Sequence, residues 1–133
     1  MDQAILVNEE IDSGSDLAYA FNAIRPVAVA FWLKPAEADR WYLYLASPEV
    51  NFENLQVAYR EILGLTGLGK KLRLDPFQVK LINADHPLAQ KVIEIRDHYQ
   101  AKIPTRYNGT WLAGEAIDGA YIYPRIETST TAV

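Results

Sequence analysis

Residues Val27 to Ser47, VAVAFWLKPAEADRWYLYLAS, decide the fold, because they describe a β-hairpin whose two faces can be told apart. Pairing Lys34 with Arg40 across a Pro35–Asp39 loop places Val27, Val29, Phe31, Leu33, Trp41, Leu43 and Leu45 on one face. The other face then receives Ala28, Ala30, Trp32, Tyr42, Tyr44 and Ala46. In this register Trp32 stands opposite Tyr42 and Ala30 opposite Tyr44. The aliphatic face is the expected core, with Val29, Phe31, Leu43 and Leu45 buried.

Upstream, Ser13-Gly14-Ser15-Asp16 supplies capping groups, and Leu17, Ala20, Phe21 and Ile24 follow at helical spacing until Pro26. Downstream, Asn51 opens a second helix with Phe52, Leu55, Tyr59 and Ile62 as its apolar stripe and Gly64 as its stop. Phe77 to Ile82 alternates as a strand. Asp85 caps a third helix, with Pro87 in its first turn and Leu88, Val92, Ile95 and Tyr99 inward. Pro104 to Pro124 reads as strand, turned at Asn108-Gly109, bent at Gly114 and Gly119, and closing with Ala120 to Tyr123. The order α-β-β-α-β-α-β(β) predicts a single α+β domain over residues 1–126, with a mixed, mainly antiparallel sheet centred on the 26–47 hairpin and three helices. The threonine-rich stretch 127–133 reads as a disordered tail.

Composition narrows the chemistry. The chain has 133 residues, half of them hydrophobic and 23% charged, which is globular composition and enough for one core. It has no cysteine, so disulfides, thiolate metal sites and cysteine nucleophiles are excluded. A net charge of −4 argues against nucleic acid or anionic membranes as partners. The start, MDQAILVNEE, lacks the basic stretch and apolar length of a signal peptide. No apolar run approaches the ~20 residues of a membrane span. The expectation is a cytoplasmic protein.

The runs FWLKPAEADRWYLYLASPEV, ADHPLAQ and RYNGTWLAGEAIDGAYIY resemble a family of small uncharacterised prokaryotic α+β proteins with no assigned function. The shared features are a W-L hairpin ending in A-S/T-P, an Asp-Pro helix start and a D-A-Y-I-Y-like last strand. They fall here on Trp32-Leu33, Ala46-Ser47-Pro48, Asp85-His86-Pro87 and Gly119 to Tyr123. His86 is inserted before the proline, and Gly119 stands where an acid is expected. The resemblance implies no activity.

Four constellations can be weighed for chemistry. Gly64 to Lys71 fits G-x-x-x-x-G-K, but Lys71 stands where a phosphate loop needs Ser or Thr, and the segment follows a helix rather than a strand. Asp39 with Gln78 and Lys80, the last two on one strand face, resembles the restriction-endonuclease-like core, in which acids hold Mg²⁺ and a lysine steadies phosphate charge. His86 and His98 lie 12 residues apart on one helix, about 18 Å along its axis, too far to share a metal. Glu94 and His98, at i and i+4, are read as a solvated pair. Tyr121 and Tyr123, on one side of the last strand, fit core or pocket lining.

No cofactor is implied. The leading expectation is a non-catalytic, self-associating interaction domain, a homo-oligomer whose interface is the face bearing Trp32, Tyr42 and Tyr44. Coverage of that face by a helix of the same chain competes with it. A degenerate Mg-dependent nuclease using Asp39, Gln78 and Lys80 is one alternative. A small-molecule-binding domain lined by Tyr42, Tyr44, Tyr121 and Tyr123 is another.

Overall fold

The computed structural model describes residues 6–66, 74–98 and 102–126. In chain order these form α1 (Asn8–Asn22), β1 (Val29–Pro35), β2 (Tyr42–Ser47), α2 (Leu55–Thr66), a 3-10 turn (Pro76–Gln78), β3 (Val79–Asn83), α3 (Pro87–His98), β4 (Thr105–Tyr107), β5 (Trp111–Leu112) and β6 (Glu115–Ile122). The strands build one mixed sheet in the order β3-β2-β1-β6-β4, with β5 also on β6. Among the described strands only β2 and β3 run parallel, with α2 in the connection between them. This is the α+β fold that the element order predicts.

The hairpin register is shifted by one residue from the expected one. Phe31 lies opposite Tyr44, Trp32 opposite Leu43 and Leu33 opposite Tyr42. A one-residue slip moves a whole strand's side chains to the other face. Trp32 therefore shares a face with Leu43 and Leu45, while Phe31 shares one with Tyr44. The cause lies in the loop. The end of β1 continues onto β6, with Pro35 opposite Ile117 and the Ala36 amide bonded to the Ala116 carbonyl. Lys34 Nζ also holds the Ala38 carbonyl at 2.8 Å and Asp118 at 2.7 Å. The chain must then travel one residue further before β2 begins.

Both sheet faces are covered, which is why patterning could not choose between registers. One face, with Ala30, Trp32, Leu43, Leu45, Val79 and Leu81, packs under Leu17 and Phe21 of α1 and Ala58 and Ile62 of α2. The other, with Val29, Phe31, Leu33, Ala120 and Ile122, packs under Leu88, Ala89 and Val92 of α3 and Leu112 of β5. Val29, Phe31, Leu43 and Leu45 are buried as expected, but on two faces rather than one.

Several local expectations are corrected. α1 begins at Asn8, where the Val7 amide donates to Glu10 Oε1 at 3.3 Å; Ser13 to Asp16 are helix interior, not caps. α2 runs through Gly64 to Thr66. The third helix is capped by His86, whose Nδ1 accepts from the Leu88 amide at 3.0 Å, rather than by Asp85. Asn108-Gly109 is not a hairpin turn. Tyr107 pairs with Ala120 and Trp111 with Ala116, so β4 and β5 keep a single register against β6 on either side of it. The turn is Ala113-Gly114, with φ of 51° and 84°. Residues 67–71 of the lysine-bearing loop, Tyr99 and the 127–133 tail lie outside the described residues.

Candidate interaction surface

The fold leaves β3 at one end of the sheet. An edge strand presents unpaired backbone groups that other chains can pair with, and proteins blunt such edges with covering elements. Here the Leu81 amide, turned away from β2, donates to the Tyr59 hydroxyl of α2 at 2.9 Å. Tyr59 thus fills the edge donor with a side chain.

Two clefts open between α2 and β3. One, of about 320 Å³, is lined by Tyr59, Ile62, Leu63, Phe77 and Val79. The other, of about 250 Å³, is lined by Val50, Phe52, Leu55, Ile82 and His86. Leu55 to Ile62 rises ~10 Å along a helix, and Val79 to Ile82 spans ~10 Å along a strand. The two clefts follow one another along the groove between α2 and β3, with Tyr59 lining the first and Leu81 the second.

An exposed phenylalanine stands at each end. Phe77 is 80% exposed, Phe52 is 94% exposed, and Leu63 on the first cleft is 51% exposed. Local hydrogen bonding puts them there. Asp75 Oδ1 accepts from the Phe77 amide at 2.9 Å and opens the 3-10 turn. That turn sends Gln78 inward, where its Nε2 donates to the Trp41 carbonyl at 3.1 Å, and leaves Phe77 outside. At the other end Asn51 Oδ1 accepts from the Glu53 and Asn54 amides at 2.8 and 2.9 Å, and Asn54 Nδ2 donates back to the Glu49 carbonyl. This knot of asparagines holds Phe52 in solvent.

Lys80 alternates to the face of β3 turned away from α2, where its Nζ lies 4.9 Å from the centre of the Tyr42 ring. At the Phe52 end, Glu49, Glu53 and Asp85 are exposed.

The expected aromatic face does not form. Trp32 is fully buried under α1, its Nε1 donating to the Tyr123 hydroxyl at 2.8 Å, and that hydroxyl donates to the Ile11 carbonyl. Tyr42 and Tyr44 lie on the opposite side of the sheet, half-buried. The Tyr44 ring stacks on Phe31 at 5.0 Å, and burial, with Glu115 adding to it, raises its phenol pKa. Tyr123 is core and Tyr121 packs beside it edge to face at 5.3 Å.

The nuclease-like trio is not assembled as expected. Gln78 precedes the strand and is buried, so it shares no strand face with the exposed Lys80; Asp39 is exposed in the hairpin loop. Among the described residues no group of three His, Cys, Asp or Glu side chains is placed to hold a metal. The residues present do not fit a magnesium site. Glu94 pairs with Lys91 at 3.2 Å.

Sequence reasoning assigned Phe52 to a buried helix stripe and Phe77 to a strand, and so missed the groove. The available signals were Asn51 with Asn54 and Asp75-Pro76, both turn formers that lift the intervening residue out of regular structure. No protein-family model, curated protein or solved structure matches the chain.

Proposed function

We propose that this chain is a non-catalytic protein-interaction domain that holds another polypeptide in the groove between α2 and β3. The observation that carries this reading is the gathering of exposed apolar side chains, Phe52, Leu63 and Phe77, along one edge of the sheet. Scattered exposed hydrophobics are ordinary, whereas contiguous ones rimmed by charge mark a contact surface. Exposed aromatic anchors beside clefts are the side chains that dominate binding energy at protein interfaces.

Site-specific photocross-linking in cells tests it. A benzophenone amino acid at position 77 or 52 is expected to cross-link to one polypeptide identified by mass spectrometry. The cross-link should be lost when Leu63→Lys is added to the cleft wall. The same probe at Trp111, 62% exposed on β5 and separated from β3 by β2, β1 and β6, is the control. Equal labelling from Trp111, or no cross-link from either phenylalanine position, overturns the reading.

A further inference from the structure

We propose that Asn108-Gly109 is a site of spontaneous self-modification, at which the chain converts its own asparagine through a cyclic imide into aspartate and isoaspartate and so releases β4 from the sheet.

The reaction needs an asparagine whose following amide nitrogen can reach its own side chain. The Gly109 nitrogen attacks Asn108 Cγ, and a new C–N bond closes a cyclic imide. The Cγ–Nδ2 bond breaks, and ammonia leaves with the proton shed by the attacking nitrogen. Water then opens the ring at either carbonyl. One opening gives aspartate; the other routes the backbone through the former side chain and gives isoaspartate. A Cβ on the following residue crowds this attack, and glycine has none.

The structure singles out this asparagine. Asn108 is exposed. Pairing with β6 stops at Tyr107 and resumes at the Thr110 carbonyl, which accepts from the Ile117 amide at 3.0 Å. Residues 108 and 109 can therefore turn without breaking a ladder bond. Asn22, Asn51, Asn54 and Asn83 each hold a side-chain hydrogen bond to the backbone, and none of them precedes glycine. Asn8 opens α1 and precedes Glu9. The packing also requires the residue that makes the site labile, because a Cβ at Gly109 would lie 2.6 Å from Cζ and the hydroxyl of Tyr107.

Isoaspartate adds a backbone carbon between two stretches that share one register on β6, Tyr107 opposite Ala120 and Trp111 opposite Ala116. The Tyr107 hydroxyl, which donates to the Trp111 carbonyl at 2.9 Å, spans the insertion. Both pairings cannot keep their places. Leu112 anchors β5 in the core, so β4, short and at the edge of the sheet, is the half that yields.

Ageing the purified full chain at mildly alkaline pH tests this, read by peptide mass spectrometry with fragmentation that separates aspartate from isoaspartate. Asn108 is expected to convert, with isoaspartate among the products, while Asn51, Asn54 and Asn83 stay intact. Each converted chain should gain one negative charge on isoelectric focusing, and Asn108→Gln, whose longer side chain closes the imide poorly, should abolish that gain. Amide exchange at Thr105 to Tyr107 should quicken in the aged wild type. Asn108→Asp carries the new charge on a backbone of ordinary length and should keep the original exchange rates. An intact Asn108 in the folded chain, under conditions in which the urea-unfolded chain converts, overturns the site. Isoaspartate at 108 with unchanged exchange at Thr105 to Tyr107 overturns the release of β4.

Discussion

At the residue scale the most constrained point is Gly14 in the middle of α1. A methyl group there would lie 2.5 Å from the Tyr123 hydroxyl and 2.9 Å from Trp32 Nε1. Mid-helix glycine costs up to ~1 kcal/mol relative to alanine, so its placement here needs a reason. The reason is that the helix must lie directly on a buried indole and phenol, both of which use their polar atoms in hydrogen bonds. Leaving either group unpaired in the core would cost about 1–3 kcal/mol. Gly14→Ala gains helix propensity but pushes these rings apart, and it is expected to lower stability by about 1–3 kcal/mol in urea unfolding. A gain in stability would show that α1 sits further from the sheet. None of this was legible beforehand, because Gly14 within Ser-Gly-Ser-Asp has the local chemistry of a helix start. Its actual role depends on Trp32 and Tyr123, 18 and 109 residues away in sequence.

At the level of elements, the helices and strands were largely readable and their contacts were not. Leu17 with Phe21, Ile62, and Leu88 with Val92 mark inward helix faces correctly, since these side chains recur at helical spacing. The hairpin itself was legible; its register was not. Alternation fixes register only when one face is wet, and here α1 and α2 cover one face and α3 the other. Trp32 consequently moved from a candidate contact residue to the core. The edge device on β3 belongs to this scale as well. Tyr59 fits the apolar stripe of α2, yet its hydroxyl serves the strand. Tyr59→Phe keeps the ring and strands the Leu81 amide, so stability is expected to fall by about 1 kcal/mol. Amide exchange at Leu81 should quicken, and the newly bare edge should favour aggregation. An unchanged exchange rate at Leu81 would contradict the role given to Tyr59.

For the whole molecule, the buried and half-buried phenols are expected to make stability fall at alkaline pH. Tyr123 has its pKa raised chiefly by burial, as have Tyr44 and Tyr121. A phenol that holds its proton more tightly when folded favours the folded state in its neutral form. That contribution is complete below the unfolded value near pH ~10 and is lost as pH climbs through the raised folded values. Unfolding midpoints in urea should therefore fall between about pH 9 and about pH 12, with Tyr123→Phe showing a shallower decline from a lower starting point. A flat profile would contradict the burial of Tyr123. The groove is also a property of the whole molecule, since Phe52 and Phe77 lie on one edge only because β3 ends the sheet and α2 crosses beside it. That is why sequence spacing alone, which assigned Phe52 to a helix stripe and Phe77 to a strand, could not place it. Hydrogen exchange on the intact chain, with and without the polypeptide captured by the cross-link at position 77, tests the groove most directly. Amides of residues 52–63 and 77–83 should gain protection when it is added, while those around the exposed Ile103 and Trp111 do not change. Protection that appears around Ile103 and Trp111 instead, or nowhere, would contradict a polypeptide seated between α2 and β3.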